Sequence, residues 1–170
     1  MTRDEFRIEL QAFLAGPHPY PHLYVWHGEP GSLNALLPAG QVQRFNLFEL
    51  ARDLPQHPFA LAEAQELLHR AVANWLHGWQ FAGAAGQPIL VVDGCELLAR
   101  YKVGLDTFLA VLTDRTIAIL LCSAADAAFT PRPKVPGYAR CEPGATLAYL
   151  TRLVPAARNR IDGGAHESAA

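Results

Sequence analysis

Cysteine is scarce in this chain: three in 170 residues, widely spaced and odd in number. That usage argues against a disulfide framework and for a reducing compartment. Long apolar runs are missing too. None reaches the ~20 residues that a membrane helix needs, and the opening MTRDEFRIEL mixes charges without an apolar signal region. The expectation is a cytoplasmic protein with no membrane contact. Nor is there an excess of charge. A net charge of −2 and a pI near 6.4 give no global field that recommends nucleic acid, although a local patch stays open. No G-x-S-x-G pattern is present, and no Ser/His/Asp arrangement stands out. What the chain does have is apolar content. Hydrophobic residues make up 51% against 18% charged, which places it among globular and not disordered chains. The length allows one domain with a substantial core.

The stretch from Leu23 to Leu37, LYVWHGEPGSLNALL, organises the rest. Leu23 to Trp26 reads as a buried first strand, rich in aromatic and β-branched residues. Gly28 to Ala35 then has the outline of a phosphate-binding loop, G-x-x-x-x-G-K-[ST]. Gly28 fills the first glycine position, and Gly31 and Ser32 lie within the loop. Leu33 stands at the second glycine, Asn34 at the lysine and Ala35 at the hydroxyl position. Backbone N–H groups of such a turn can still meet an anion. Asn34, however, supplies no point charge to the β- and γ-phosphates, and Ala35 offers no hydroxyl to Mg²⁺. Leu33 in the left-handed conformation that the glycine commonly takes would cost about 1–2 kcal/mol, unless the loop adopts another shape. The helix after the loop, Leu33 to Leu37, is stopped by Pro38-Ala39-Gly40.

Around this stretch the pattern alternates helix and strand. Thr2 to Leu14 reads as a helix with capping-box spacing between Thr2 and Glu5. Gln41 to Leu47 is a second strand, and Asn46 caps a short helix, FELARDL. Ala60 to Phe81 is the longest helix, its apolar stripe running through Leu61, Ala64, Leu68, Ala71, Val72, Trp75 and Trp79. Ile89 to Val92, ILVV, is the clearest strand, and Asp93 ends it. A buried strand closed by a carboxylate is the Walker-B arrangement, which makes Asp93 the candidate metal ligand. Gly94 occupies the place where hydrolytic members of the class often put a glutamate; Glu96 lies two residues on. A helix within Gly104–Leu112 and a strand from Ile117 to Leu121 follow, with Ser123 as a candidate sensor residue or simple turn. Tyr138 to Cys141 is a candidate edge strand, and Leu147, Leu150 and Val154 mark a last helix. Pro131, Arg132, Pro133, Lys134 and Pro136 form a stiff connector, either a docking segment or a solvated loop. Residues 156–170 read as a polar, disordered tail after a single domain over 1–155. The fold expected is α/β, a three-layer sandwich on a mainly parallel sheet of about five strands.

The remaining constellations are weaker. His18, His22 and His27 lie close in sequence, but Pro19 and Pro21 break any common helical register, so a metal site there is not expected. Cys95 and Cys122 are expected to be buried, inert thiols.

The arrangement resembles the small P-loop protein of BREX bacteriophage-defence systems, the BrxF family. The likeness spans about residues 5–145. It rests on the GEPGS loop, the RFNL segment, ILVVDGCELL, DRTIAILLCS and the closing YARCEPG. It implies a P-loop NTPase fold and work beside a large ATPase, a methyltransferase and a phosphatase-like protein. Such relatives typically carry glycine, lysine and threonine where this chain has Leu33, Asn34 and Ala35. Three readings follow. The first is a non-hydrolysing scaffold or regulator without a cofactor. The second is an ATP- or ADP-binding protein with Mg²⁺ and weak turnover. The third is a nucleic-acid-binding module using Arg132, Lys134, Arg140, Arg152, Arg158 and Arg160.

Overall fold

A computed structural model describes residues 1–18, 22–54, 61–82, 84–122, 144–156 and 159–163. The connector at 131–136, the candidate strand at 138–141, and Ser123, Arg132, Lys134, Arg140, Cys141 and Arg158 lie outside the described residues.

The centre is a five-stranded sheet in the order β2-β3-β4-β1-β5, every pair parallel. β1 is His22–His27, β2 Val42–Asn46, β3 Ile89–Asp93, β4 Ile117–Cys122 and β5 Arg160–Asp162. β3 and β4 read ILVVD and IAILLC, without polar alternation, because helices cover both of their faces. The architecture is therefore the expected three-layer α/β sandwich, with an entirely parallel sheet.

The two layers of helix are unequal. α1 (Arg3–Ala15) and the short α2 (Pro30–Asn34) cover one face. Phe6, Leu10, Phe13 and Leu33 pack there on Tyr24, Trp26, Ile89, Val91, Ile117, Ile119 and Ile161. The other face carries the larger core. α3 (Leu47–Arg52), α4 (Leu61–Ala82), α5 (Glu96–Arg100), α6 (Asp106–Val111) and α7 (Ala145–Leu153) contribute to it. The α4 stripe is as expected at Ala64, Leu68, Val72 and Trp79, with Leu76 fully buried beside them.

Local signals set the helix ends. The Thr2 hydroxyl accepts from the Glu5 N–H, and the Glu5 carboxylate accepts from the Thr2 N–H. Asn46 Oδ1 accepts from the Phe48 N–H at 3.0 Å and opens α3. Two expectations are corrected. The helix after the loop runs Pro30–Asn34 and not Leu33–Leu37, because Pro30 is preorganised for a first helical position. Residues Arg160–Asp162, placed in a disordered tail, form β5 on β1, with Val25, Trp26 and His27 opposite them. Asn159 locks that approach: its Nδ2 donates to the Leu23 carbonyl at 2.7 Å, fully away from solvent.

Candidate functional site

The candidate residues gather at the carboxyl ends of the strands. In open parallel sheets that edge is where ligand sites form. Asp93 ends β3, Gly28 follows β1, and α2 carries Gly31 to Asn34.

The loop begins at Gly28, whose φ of +155° few side chains adopt. A Cβ there would lie 3.1 Å from the Gly163 Cα. Gly163 donates its N–H to the His27 carbonyl at 2.8 Å and lies against the Trp26 indole. The root of the loop is thus packed by the strand that follows it in the sheet, β5. Trp26 is fully buried, and its Nε1 has no hydrogen-bond partner among the described residues.

Beyond Gly28 the loop turns its donors inward. Ser32 gives both its N–H (3.2 Å) and its hydroxyl (2.7 Å) to the Glu29 carbonyl. Ala35 donates its N–H to the Gly31 carbonyl at 3.2 Å. Pro30, first in the helix, has no N–H to give. Leu33 does not take the left-handed conformation; Lys102 is the one non-glycine residue with positive φ among those described. The Leu33 side chain is wholly buried in the core that α1 and α2 share with the sheet, which stabilises the fold by about 1.5–3 kcal/mol. The position where a phosphate loop needs backbone freedom is occupied by a core anchor.

Asn34, at the lysine position, is held by an arginine. Its Oδ1 accepts from Arg44 Nη2, and Arg44 Nη1 lies 3.5 Å from Asp93 Oδ2. The strand period explains the meeting. Arg44 and Val42 share one face of β2, and β3 places Val91 and Asp93 on the same face. One guanidinium therefore spans Asn34 of the loop and Asp93 at the end of β3. Partial burial raises the Asp93 pKa above its ordinary value of 3.8, and the Arg44 charge and hydrogen bond pull against that rise. Gly94 has φ +78°, and a Cβ there would meet the Phe48 ring at 3.0 Å and 3.1 Å. A glutamate at that point would be strained by the left-handed backbone and crowded by the Phe48 ring. Glu96 instead begins α5.

The histidines separate. His18 and His22 rings lie 4.9 Å apart at the amino end of β1, where His22 Nδ1 is 3.3 Å from the Tyr24 hydroxyl and Tyr24 donates to Glu9 at 2.7 Å. His27 sits at the far end of the same strand, about 16 Å along it, with its Nδ1 3.8 Å from the Asp162 carboxylate. Among the described residues no cluster of three His, Cys, Asp or Glu side chains is arranged for a metal ion. Cys95 and Cys122 are buried, and the Cys95 thiol donates to the Val92 carbonyl. Arg152 and Arg160 are far apart in role: Arg152 lies 6.0 Å above the Tyr149 ring, while Arg160 pairs with Asp162. Among the described residues no helix is long and apolar enough to cross a membrane.

Arg44 was not among the residues singled out from the sequence. Its signal was a lone charge at an alternate strand position, within the RFNL segment, beside apolar Val42 and Phe45. No family model matches the chain, and no curated protein matches it.

Proposed function

We propose that this chain is a non-hydrolysing subunit of P-loop NTPase-like fold, acting as a scaffold or regulator within a BREX-like bacteriophage-defence complex. The observation that carries the non-hydrolysing part is the engagement of Asn34 and Asp93 by Arg44. The two positions that would hold a nucleotide phosphate and its metal are instead bound to a side chain of the same protein. The inward donors of Ser32 and the buried Leu33 support the same reading. The defence setting rests on the resemblance of the loop and strand segments alone. Partners of the expected kind are a large ATPase, a methyltransferase and a phosphatase-like protein. Calorimetric titration of the chain with ATP and Mg²⁺ tests the reading: no saturable heat is expected, and a micromolar affinity overturns it.

One observation favours the second reading, ATP binding with weak turnover. Arg44 places a permanent cation beside the lysine position. If it serves phosphate, Arg44→Ala abolishes a measurable ATP affinity of the parent chain.

A further inference from the structure

β2 is an outer strand of the sheet, paired with β3 alone among the described residues. The Ile89 N–H bonds the Gln41 carbonyl at 3.1 Å. In a parallel ladder that phase directs Gln43 and Phe45 toward β3 and turns the N–H and C=O groups of Val42 and Arg44 outward. Among the described residues the Arg44 carbonyl accepts an exposed hydrogen bond from Gln43 Nε2, at 3.0 Å, that an incoming donor exchanges readily. Beside this edge lies a cleft of about 280 Å³ lined by residues of β2 and α3 and by Trp75 of α4.

The chemistry of the cleft is acidic and aromatic. Glu49 and Asp53, both exposed, line it. The Trp75 ring stacks on Phe45, with centroids 3.8 Å apart and planes 3° from parallel. Among the described lining residues Arg44 is the cation, and its charge is directed to Asp93 and Asn34. Arg52 of the same helix does not line the cleft. Two carboxylates beside an aromatic face suit a cationic side chain.

We infer that the outer edge of β2 and the Glu49–Asp53–Trp75 cleft dock an extended, lysine- or arginine-bearing segment of a partner protein by strand addition. The backbone of that segment meets Val42 and Arg44, and its basic side chain enters the cleft. The inference rests on the scaffold reading only in expecting a protein partner. It is independent of whether nucleotide binds.

A set of short, capped, threonine-rich peptides tests it, each with Lys, Arg, Ala or Glu at one central position. Anisotropy should show the lysine and arginine peptides binding at least about tenfold more tightly than the other two, with the preference shrinking as salt rises. The double variant Glu49→Gln/Asp53→Asn, with its fold checked by circular dichroism, should lose the preference. Amide exchange at Val42 and Arg44 should slow on binding. The inference is overturned if basic peptides show no preference, if the preference survives in the double variant, or if those amides are unprotected. Protection that instead tracks self-association of the chain assigns the edge to a second copy and also overturns it. Nucleotide titration is unaffected by any of these outcomes, so the two readings fail separately.

Discussion

The Arg44 guanidinium reaches from β2 to the Asp93 carboxylate at 3.5 Å while its other terminal nitrogen holds Asn34. Strand, loop and aspartate are thereby tied at the carboxyl edge of the sheet. The tie is half exposed, so it positions more than it stabilises. Arg44→Ala should lower stability by no more than about 1 kcal/mol in urea denaturation. It should also not turn the chain into an ATP-binding protein.

Rebuilding the loop should fail to restore a nucleotide site. In Leu33→Gly/Asn34→Lys/Ala35→Thr, the first change removes a fully buried side chain. Loss of the side chain costs about 2–5 kcal/mol, and glycine inside a helix adds about 1 kcal/mol. The expected result is a strongly destabilised protein that still shows no saturable ATP heat. Leu33→Met, which nearly conserves volume, should cost less than about 1.5 kcal/mol.

The root of the loop should be intolerant of a single methyl group. A Cβ at Gly163 would lie 2.5 Å from the Trp26 indole. Gly163→Ala should therefore lose about 1–3 kcal/mol through overpacking, accompanied by a shift in tryptophan emission. Gly31, inside α2 and with nothing within 4 Å of such a Cβ, provides the comparison: Gly31→Ala should be neutral or stabilising by up to about 1 kcal/mol.

Asp93 predicts a pH dependence with a definite sign. Burial raises its folded pKa above the ordinary 3.8, so the folded state holds the proton more tightly than the unfolded chain. Its unfavourable contribution is absent below about pH 3.8. It grows as pH rises through the window up to the raised folded value and is constant above that. The stability of the parent relative to Asp93→Asn should therefore fall across that window. A difference curve that rises with pH would mean that pairing with Arg44 outweighs burial.

The capping box offers a local check. Thr2→Ala removes the acceptor for the Glu5 N–H and should cost about 1 kcal/mol. The hydrogen bonds from Thr2 hold the Glu5 carboxyl below its ordinary 4.5. Its contribution is therefore present above pH 4.5 and fades as pH falls through the lowered folded value.

Much of the fold was legible because its signals are local. ILVV and AILLC are continuous apolar runs, which only strands covered on both faces tolerate, and that predicts a parallel sheet. Thr2 and Asn46 announce their helices through caps formed within three residues. The departure of Leu33, Asn34 and Ala35 from the G-x-x-x-x-G-K-[ST] pattern was legible too, since each is visible as a letter. β5 was not. Three residues, Arg160–Asp162, carry no period of their own, and their pairing is decided by β1 and by the Asn159 bond to Leu23.

By itself, then, the sequence determined the layered parallel architecture and the absence of a lysine and a hydroxyl at Asn34 and Ala35, because periodicity, caps and residue chemistry act over a few positions. Only the tertiary structure decided what the loop residues contact. Leu33 became a core residue because α2 packs with α1 on the same face of the sheet, and Arg44 became the link between Asn34 and Asp93 because strand register set β2 beside β3. Contacts between segments distant in the chain depend on packing and register, which no local pattern encodes.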